Sequence, residues 1–203
     1  MEKVKTGTTT VGMVCSDGVI LGSEKRATMG MMVANREIDK VLMIQPHIGM
    51  TIAGAVGDAQ ALVRIMRIET SLYEIQRGRN IPVEGASTLL SNILQNTKYY
   101  PYYVQVLIGG LDTEPHIFSL DPDGSMLVEK YVVTGSGTPF AYGVLEDNFK
   151  EGKAIRDNLP LAARAISVAM KRDTASGEGI NLAVIDKKGF RKLTDQEILK
   201  LSQ

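Results

Sequence analysis

The residues best suited to chemistry stand near the start of the chain, in Lys5-Thr6-Gly7-Thr8-Thr9-Thr10-Val11-Gly12. A short polar leader runs into a glycine, then three threonines, then an apolar run. Seven residues are too few to form a packed element of their own. If the chain is cut between Gly7 and Thr8, Thr8 carries a free α-amine and a hydroxyl on one residue, so nucleophile and base arrive together. The plainer reading is that threonine favours strands and that a threonine run merely opens one.

Other chemistry is poorly supplied. His47 and His116 are far apart and neither has a neighbouring cysteine, which argues against a His-rich metal site. The single cysteine, Cys15, lies on a strand without a nearby histidine, so it reads as packing rather than as a rival nucleophile. One cysteine also excludes an intrachain disulfide and makes the cytosol the default compartment. Thr134-Gly135-Ser136-Gly137 lacks the Gly-Lys-Ser/Thr of a phosphate loop and does not fit a Gly-x-Ser-x-Gly elbow; taken alone it is a tight turn.

Lys+Arg and Asp+Glu each number 23, so no net field draws in nucleic acid or an acidic membrane. No apolar run reaches the roughly 20 residues that span a bilayer. The leader lacks the apolar middle of a signal peptide. The Tyr99-Tyr100-Pro101-Tyr102-Tyr103 cluster suits packing or a subunit contact better than base stacking in a chain of zero net charge.

The elements that would position Thr8 follow from the pattern. A strand from Thr8 to Cys15, the turn Ser16-Asp17-Gly18 and a strand from Val19 to Glu24 make a hairpin. Glu24-Lys25-Arg26 is a charged corner. A second hairpin joins Val41–Ile44 to Gly49–Gly54, entered through Asp39-Lys40. Asp58 is the predicted N-cap of a helix with Ala61, Ile65, Ile68, Leu72 and Ile75 as its apolar stripe, widened by Leu62, Met66 and Tyr73, and ending near Gly78. Pro82 opens a second helix with Ala86, Leu90, Ile93 and Thr97 on one face.

Strands follow at Val104–Gly109, Pro115–Leu120 and Met126–Val133, then helices from about Pro139 and Leu159, the latter with Leu159, Ala162, Ile166 and Met170 inward. A last hairpin pairs Asn181–Ile185 with Phe190–Leu193, and Thr194 with Glu197 makes a capping box for a terminal helix. The order fits an α+β, four-layer α-β-β-α sandwich of two antiparallel sheets flanked by helices. The 203 residues, 44% of them hydrophobic, suit one domain over 8–203 behind a removable leader, 1–7.

Six motifs in this order resemble a catalytic β subunit of the 20S proteasome, of the archaeal type: Gly7-Thr8-Thr9-Thr10-Val11-Gly12, Glu24-Lys25-Arg26-Ala27-Thr28, Asp39-Lys40, Thr51 to Asp58, Thr134-Gly135-Ser136-Gly137 and Arg172-Asp173-Thr174-Ala175-Ser176-Gly177. The resemblance spans essentially the whole chain. It implies the N-terminal nucleophile hydrolase fold, self-cleavage at Gly7–Thr8 and a cytoplasmic threonine endopeptidase acting on unfolded polypeptides, without cofactor or metal. It also implies a homo-oligomeric β ring of seven, an outer ring of α subunits and an upstream regulatory ATPase.

By the same resemblance Thr8 is the nucleophile, with Glu24 and Lys40 behind it. The family often has Asp where this chain has Glu24. Gly54 would donate its N–H to the oxyanion. Ser136, Asp173 and Ser176 would orient the threonine, and Thr28 would align the substrate backbone. Ala27, Ile38, Leu42, Ile52 and Val56 would line an apolar substrate pocket.

A free α-amine has a pKa of about 7.7–8.0, so roughly a tenth is neutral at pH 7, whereas an unperturbed lysine at about 10.4 is almost wholly charged. The amine is thus the favoured base, with Lys40 as electrostatic support; a buried Lys40 of depressed pKa stays open as the direct base. Before cleavage the Thr8 nitrogen is an amide and accepts no proton, so the precursor is expected to be latent. Two other readings are a non-catalytic ring subunit, against which the retained Gly7, Thr8, Lys40, Asp173 and Ser176 speak, and a related amidohydrolase of the same fold.

Overall fold

A computed structural model describes residues 7–201. The expected leader, except Gly7, lies outside them. Strands β1 (Thr9–Cys15) and β2 (Gly18–Glu24) form the first predicted hairpin. A small hairpin follows, β3 (Ala27–Met29) and β4 (Met32–Asn35), which the sequence reading did not include. Its strands are short, and β4 is exposed at every position, so no alternation betrays it. Strands β5 (Val41–Gln45) and β6 (Ile48–Gly54) make the next hairpin, and α1 (Val56–Arg77) and α2 (Val83–Asn96) come after.

The chain continues with β7 (Val104–Leu111), β8 (Pro115–Leu120), β9 (Met126–Glu129), β10 (Tyr131–Gly135), α3 (Thr138–Asn148) and α4 (Ile155–Arg172). It closes with β11 (Ile180–Asp186), β12 (Gly189–Lys192) and α5 (Asp195–Leu201). One antiparallel sheet has the order β10-β1-β2-β11-β12, the other β5-β6-β7-β8-β9. The predicted α-β-β-α sandwich is the architecture observed.

Strand parity makes the layers. On β1, Val11, Met13 and Cys15 pack with Ala162, Ile166 and Ala169 of α4. On β6, Ile48, Met50 and Ile52 pack with Leu62 and Met66 of α1 and Leu90 of α2. Between the sheets lie Val19, Leu21, Leu107, Ile117, Val132, Ala183 and Ile185. Small residues let the sheets close on one another: a Cβ at Gly49 would lie 2.9 Å from Leu21 Cδ1, and one at Gly109 would lie 2.9 Å from Val19 Cγ1.

Four expectations are corrected. The N-cap of α1 is Ala55, and Asp58 sits inside the first turn, where it accepts the Tyr103 N–H at 2.9 Å. The buried face of α1 is Leu62, Val63, Met66 and Thr70, while Ile68, Leu72 and Ile75 face outward at 65%, 42% and 81% exposure. The run Met126–Val133 is two strands in two sheets: β9 edges β8, and one residue later β10 pairs with β1. Helix α4 also starts ahead of Leu159, because Asp17 Oδ1 accepts the Ile155 N–H at 2.7 Å and so caps it from a distant turn.

Two predicted helix ends stand as read. Gly78 closes α1 at φ 65 and donates its N–H to Glu74 O. Thr194 Oγ1 accepts the Glu197 N–H at 3.3 Å while Glu197 Oε2 accepts the Thr194 N–H at 2.7 Å, the reciprocal pair of a capping box.

Candidate active site

Thr8 stands immediately before β1 and is 4% exposed. It is held from two sides. Its N–H donates to Ser136 Oγ at 3.2 Å, and its Oγ1 accepts from Lys40 Nζ at 3.0 Å. The Thr8 hydroxyl donates to Gly7 O at 2.6 Å, beside the bond expected to be cut. Gly7 N–H in turn donates to Thr28 Oγ1 at 3.1 Å.

The side behind the hydroxyl carries charge. Lys40 precedes β5 and Glu24 ends β2; they are 7% and 0% exposed and form a close ion pair. Lys40 Nζ also donates to Arg26 O at 2.5 Å. With Thr8 Oγ1, its three acceptors match the three protons of an ammonium. Glu24 is satisfied by backbone as well as by Lys40. Its Oε1 accepts the Thr9 N–H at 3.3 Å, and its Oε2 accepts the N–H groups of Arg26 at 2.7 Å and Gly177 at 3.1 Å. Desolvation pulls the Lys40 pKa below its ordinary 10.5, against the opposing pull of Glu24 and, more weakly, Asp173.

The side beside the nitrogen carries hydroxyls. Ser136 follows β10, and Asp173 and Ser176 follow α4. Ser136 Oγ donates to Asp173 Oδ2 at 2.6 Å, and Ser176 Oγ donates to the same oxygen at 2.5 Å. Thr9 Oγ1 lies 2.7 Å from Ser176 Oγ; since the serine proton is committed to Asp173, Thr9 is the donor. Asp173 Oδ1 accepts the Ala175 N–H at 3.2 Å.

Backbone crowding explains two of the glycines. A Cβ on Gly7 would run into the Ala175 methyl and stand 2.8 Å from Ser136 Oγ. Gly135, at φ 93, would drive a Cβ onto the Thr8 carbonyl. Both clashes are with parts of the site itself, so side chains there would displace the threonine.

The structure thus brings together Gly7, Thr8, Glu24, Thr28, Lys40, Ser136, Asp173 and Ser176. Gly54 ends β6 at φ 132, with Tyr103 O where a Cβ would go. Of the five expected pocket residues, Ile52 is a core member at 4% exposure and Leu42 packs partly buried against the same cluster. Ala27 is 9% exposed, Ile38 is half-buried, and Val56, the first residue of α1, is 40% exposed. An open groove of about 450 Å³ between α1 and α2, lined by Leu72, Tyr73, Pro82 and Leu89 among others, shares none of the site residues. Cys15 is buried with Asn158 Nδ2 donating to its Sγ at 3.4 Å, and burial pushes its pKa up to about 11.

The sequence reading gave no site role to Thr9, Arg26 or Gly177. Thr9 and Gly177 donate to Glu24 through backbone N–H, which carries no sequence signal. Arg26 lies in the Glu24-Lys25-Arg26-Ala27-Thr28 motif, where the sequence shows only a charged corner.

The family model described as "Proteasome subunit" matches residues 4–185. The chain belongs to the proteasome subunit family. Its relatives are of the beta type. It is 50% identical over 200 residues to "Proteasome subunit beta" of Picrophilus torridus, covering 98% of this chain and 95% of that one. With "Proteasome subunit beta" of Methanosarcina mazei it shares 50% over 199 residues, covering 97% and 95%. With that of Methanoregula boonei it shares 52% over 201 residues, covering 98% and 94%. The subunit is therefore a proteasome β subunit of a protein-degrading hydrolase family, with two polar clusters around one threonine.

Proposed function

We propose that this β subunit is a threonine endopeptidase that first cuts its own chain between Gly7 and Thr8. The observation that carries the reading is the buried Lys40 Nζ at 3.0 Å from Thr8 Oγ1, backed by Glu24. In the uncut chain the Thr8 nitrogen is an amide, and Lys40 is the basic group in contact with the hydroxyl. Loss of its proton is eased by desolvation. For Lys40 to act as base, the Thr8 hydroxyl turns its proton from Gly7 O to Nζ.

The hydroxyl oxygen then adds to the Gly7 carbonyl carbon. Collapse expels the Thr8 nitrogen, which takes up a proton, and leaves an ester that water hydrolyses. The leader departs with a carboxylate on Gly7, and Thr8 gains an α-amine where its amide N–H faced Ser136. In the mature subunit that amine, with a reference pKa of about 7.7–8.0, serves as the base. Lys40 then supports it by charge, lowering its pKa.

A substrate peptide follows the same route: acyl transfer to Thr8 Oγ1, departure of the amine product, and hydrolysis of the ester. Gly54 is proposed as oxyanion donor and Thr28 as a guide for the backbone, in line with its contact to Gly7. Ala27, Ile38, Leu42, Ile52 and Val56 favour apolar side chains before the cut bond. Assembly into a ring of seven between α-subunit rings, fed by an ATPase in the cytoplasm, completes the proposal. Exposed Ile68, Ile75, Tyr99 and Tyr100 support such association of the chain.

The test is the intact mass of the chain after co-expression with a proteasome α subunit, confirmed by N-terminal sequencing. A start at Thr8, with turnover of peptides bearing an apolar residue before the cut, is the expected result. A chain retaining its leader in assembled rings overturns the reading and leaves a non-catalytic ring subunit.

A further inference from the structure

The two clusters around Thr8 belong to distant parts of the chain. Glu24 sits at the corner after β2. Asp173 and Ser176 sit in the loop between α4 and β11. What holds that loop against that corner sets the relative position of the clusters.

Arg26 spans the joint. Its backbone N–H donates to Glu24 Oε2 and its carbonyl accepts from Lys40 Nζ, so its main chain is part of the charged cluster. Its guanidinium reaches the other loop. Nη1 donates to Thr174 O at 2.8 Å, and Nη2 pairs with Glu178 Oε1 at 3.1 Å. Arg26 Nε has no acceptor among the described residues, so Nη1 and Nη2 carry the guanidinium's contacts. The Gly177 backbone packs against the guanidinium, where a Cβ would collide with it.

Glu178 is unusual in its own right. Among the described residues it is the one non-glycine with positive φ, at 69, between Gly177 and Gly179. A left-handed glutamate costs free energy that a glycine would not. The turn it makes aims Gly177 N–H at Glu24 and both Gly177 O and Gly179 O at the Lys25 N–H. The strained conformation therefore coincides with the backbone bonds that dock the loop.

We propose that Glu178 is a positioning residue: its ion pair with Arg26 holds the left-handed turn at 177–179 and so fixes the Asp173–Ser176 cluster in register with the Glu24–Lys40 cluster across Thr8. The inference rests on the peptidase reading above. The pair is partly exposed, with side chains at 24% and 23%, so salt weakens it without abolishing it.

The experiment compares Glu178→Gly, Glu178→Gln and the unaltered chain, each co-assembled with α subunits, in peptide turnover and in thermal melting. Glu178→Gly removes both the pair and the strain. It is expected to melt no lower than the unaltered chain yet to lose kcat by about tenfold, the order set by a sub-ångström misplacement, with KM nearly unchanged. Glu178→Gln keeps an acceptor for Arg26 and should recover part of that loss. Rising ionic strength should lower the unaltered chain's kcat towards the Glu178→Gly value and leave that variant flat. Unchanged kcat in Glu178→Gly, or in Glu178→Gln where the glycine variant fails to assemble, overturns the inference alone. A fall in kcat matched by a fall in melting temperature assigns Glu178 a merely structural role and overturns it too. Absence of Thr8-dependent turnover in the unaltered assembly overturns the peptidase reading and this inference with it.

Discussion

The two clusters that face Thr8 differ in kind. The Glu24–Lys40 side is closed: both groups are nearly out of solvent, and every Lys40 proton has an acceptor. The Ser136–Asp173–Ser176 side is neutral except for one carboxylate, and its Ser136–Asp173 bond is exposed. The first meets the hydroxyl, the second the nitrogen. Burial is where charge acts strongly and where a base can be shifted. A more open hydroxyl relay is suited to steering a group that must first be an amide and later an amine. On the proposed mechanism, one side supplies reactivity and the other supplies aim.

The largest break comes from removing the group both sides share. Thr8→Ala is expected to retain the leader and to show no turnover, read by intact mass and a peptide assay. Next comes the charged side: Lys40→Ala should slow self-cleavage by about 10²–10⁴-fold, the usual range for a general base, and lower the turnover of whatever matures by about 10²–10³-fold through lost charge support. It should still fold, because Glu24 keeps three backbone N–H donors. Its loss of stability in denaturant melts should thus fall below the about 3–5 kcal/mol typical of an abandoned buried charge.

The hydroxyl side should cost less. Asp173→Asn keeps the shape and removes the charge; about 10²-fold or less is expected, carried mainly by kcat, as for a misplaced reactant. An equal or greater loss than in Lys40→Ala would erase the distinction between reactivity and aim.

The pH dependence of self-cleavage sharpens the comparison further. The neutral form of Lys40 grows as pH rises, and its pKa lies below 10.5. Cleavage in freshly assembled precursor should therefore speed up with pH along a limb that lies below that value. The sign for stability agrees: between the folded and unfolded pKa values the folded chain binds fewer protons, so Lys40 adds stability as pH rises through that window. The smallest effect concerns Cys15. With its pKa pushed up to about 11, its thiol should resist alkylation in the folded chain at neutral pH and react once denatured.

Much of the architecture could be read in advance because local signals agreed with the packing. Gly78 as a left-handed cap and the Thr194–Glu197 box are self-contained in a few residues. The stripe on α1 misleads because Ile68, Leu72 and Ile75 recur with the same helical period as the buried Leu62 and Met66. Periodicity shows that a face exists, and burial decides which one. Met126 to Val133 reads as a single strand because the change of sheet is marked only by Glu129 and Lys130, with no glycine or proline to signal a break. At the site, residue types were legible through the motifs. The bonds to Glu24 from Thr9, Arg26 and Gly177 were not, since every non-proline residue has the same backbone donor. Nor does any local pattern mark a glutamate that turns left-handed at 178.

Thr8 and its hydroxyl partners lie far apart along the chain: the Thr8–Ser136 bond spans 128 residues. A chain made from its amino end therefore displays Thr8 long before Ser136, Asp173 and Ser176 exist to hold it. At synthesis rates of roughly 5–20 residues per second, that interval is on the order of 10 s. During it the threonine is an ordinary residue on an unfinished ribosomal product. On the proposed peptidase reading, sequence separation acts as a timer that delays completion of the site until most of the chain has been made.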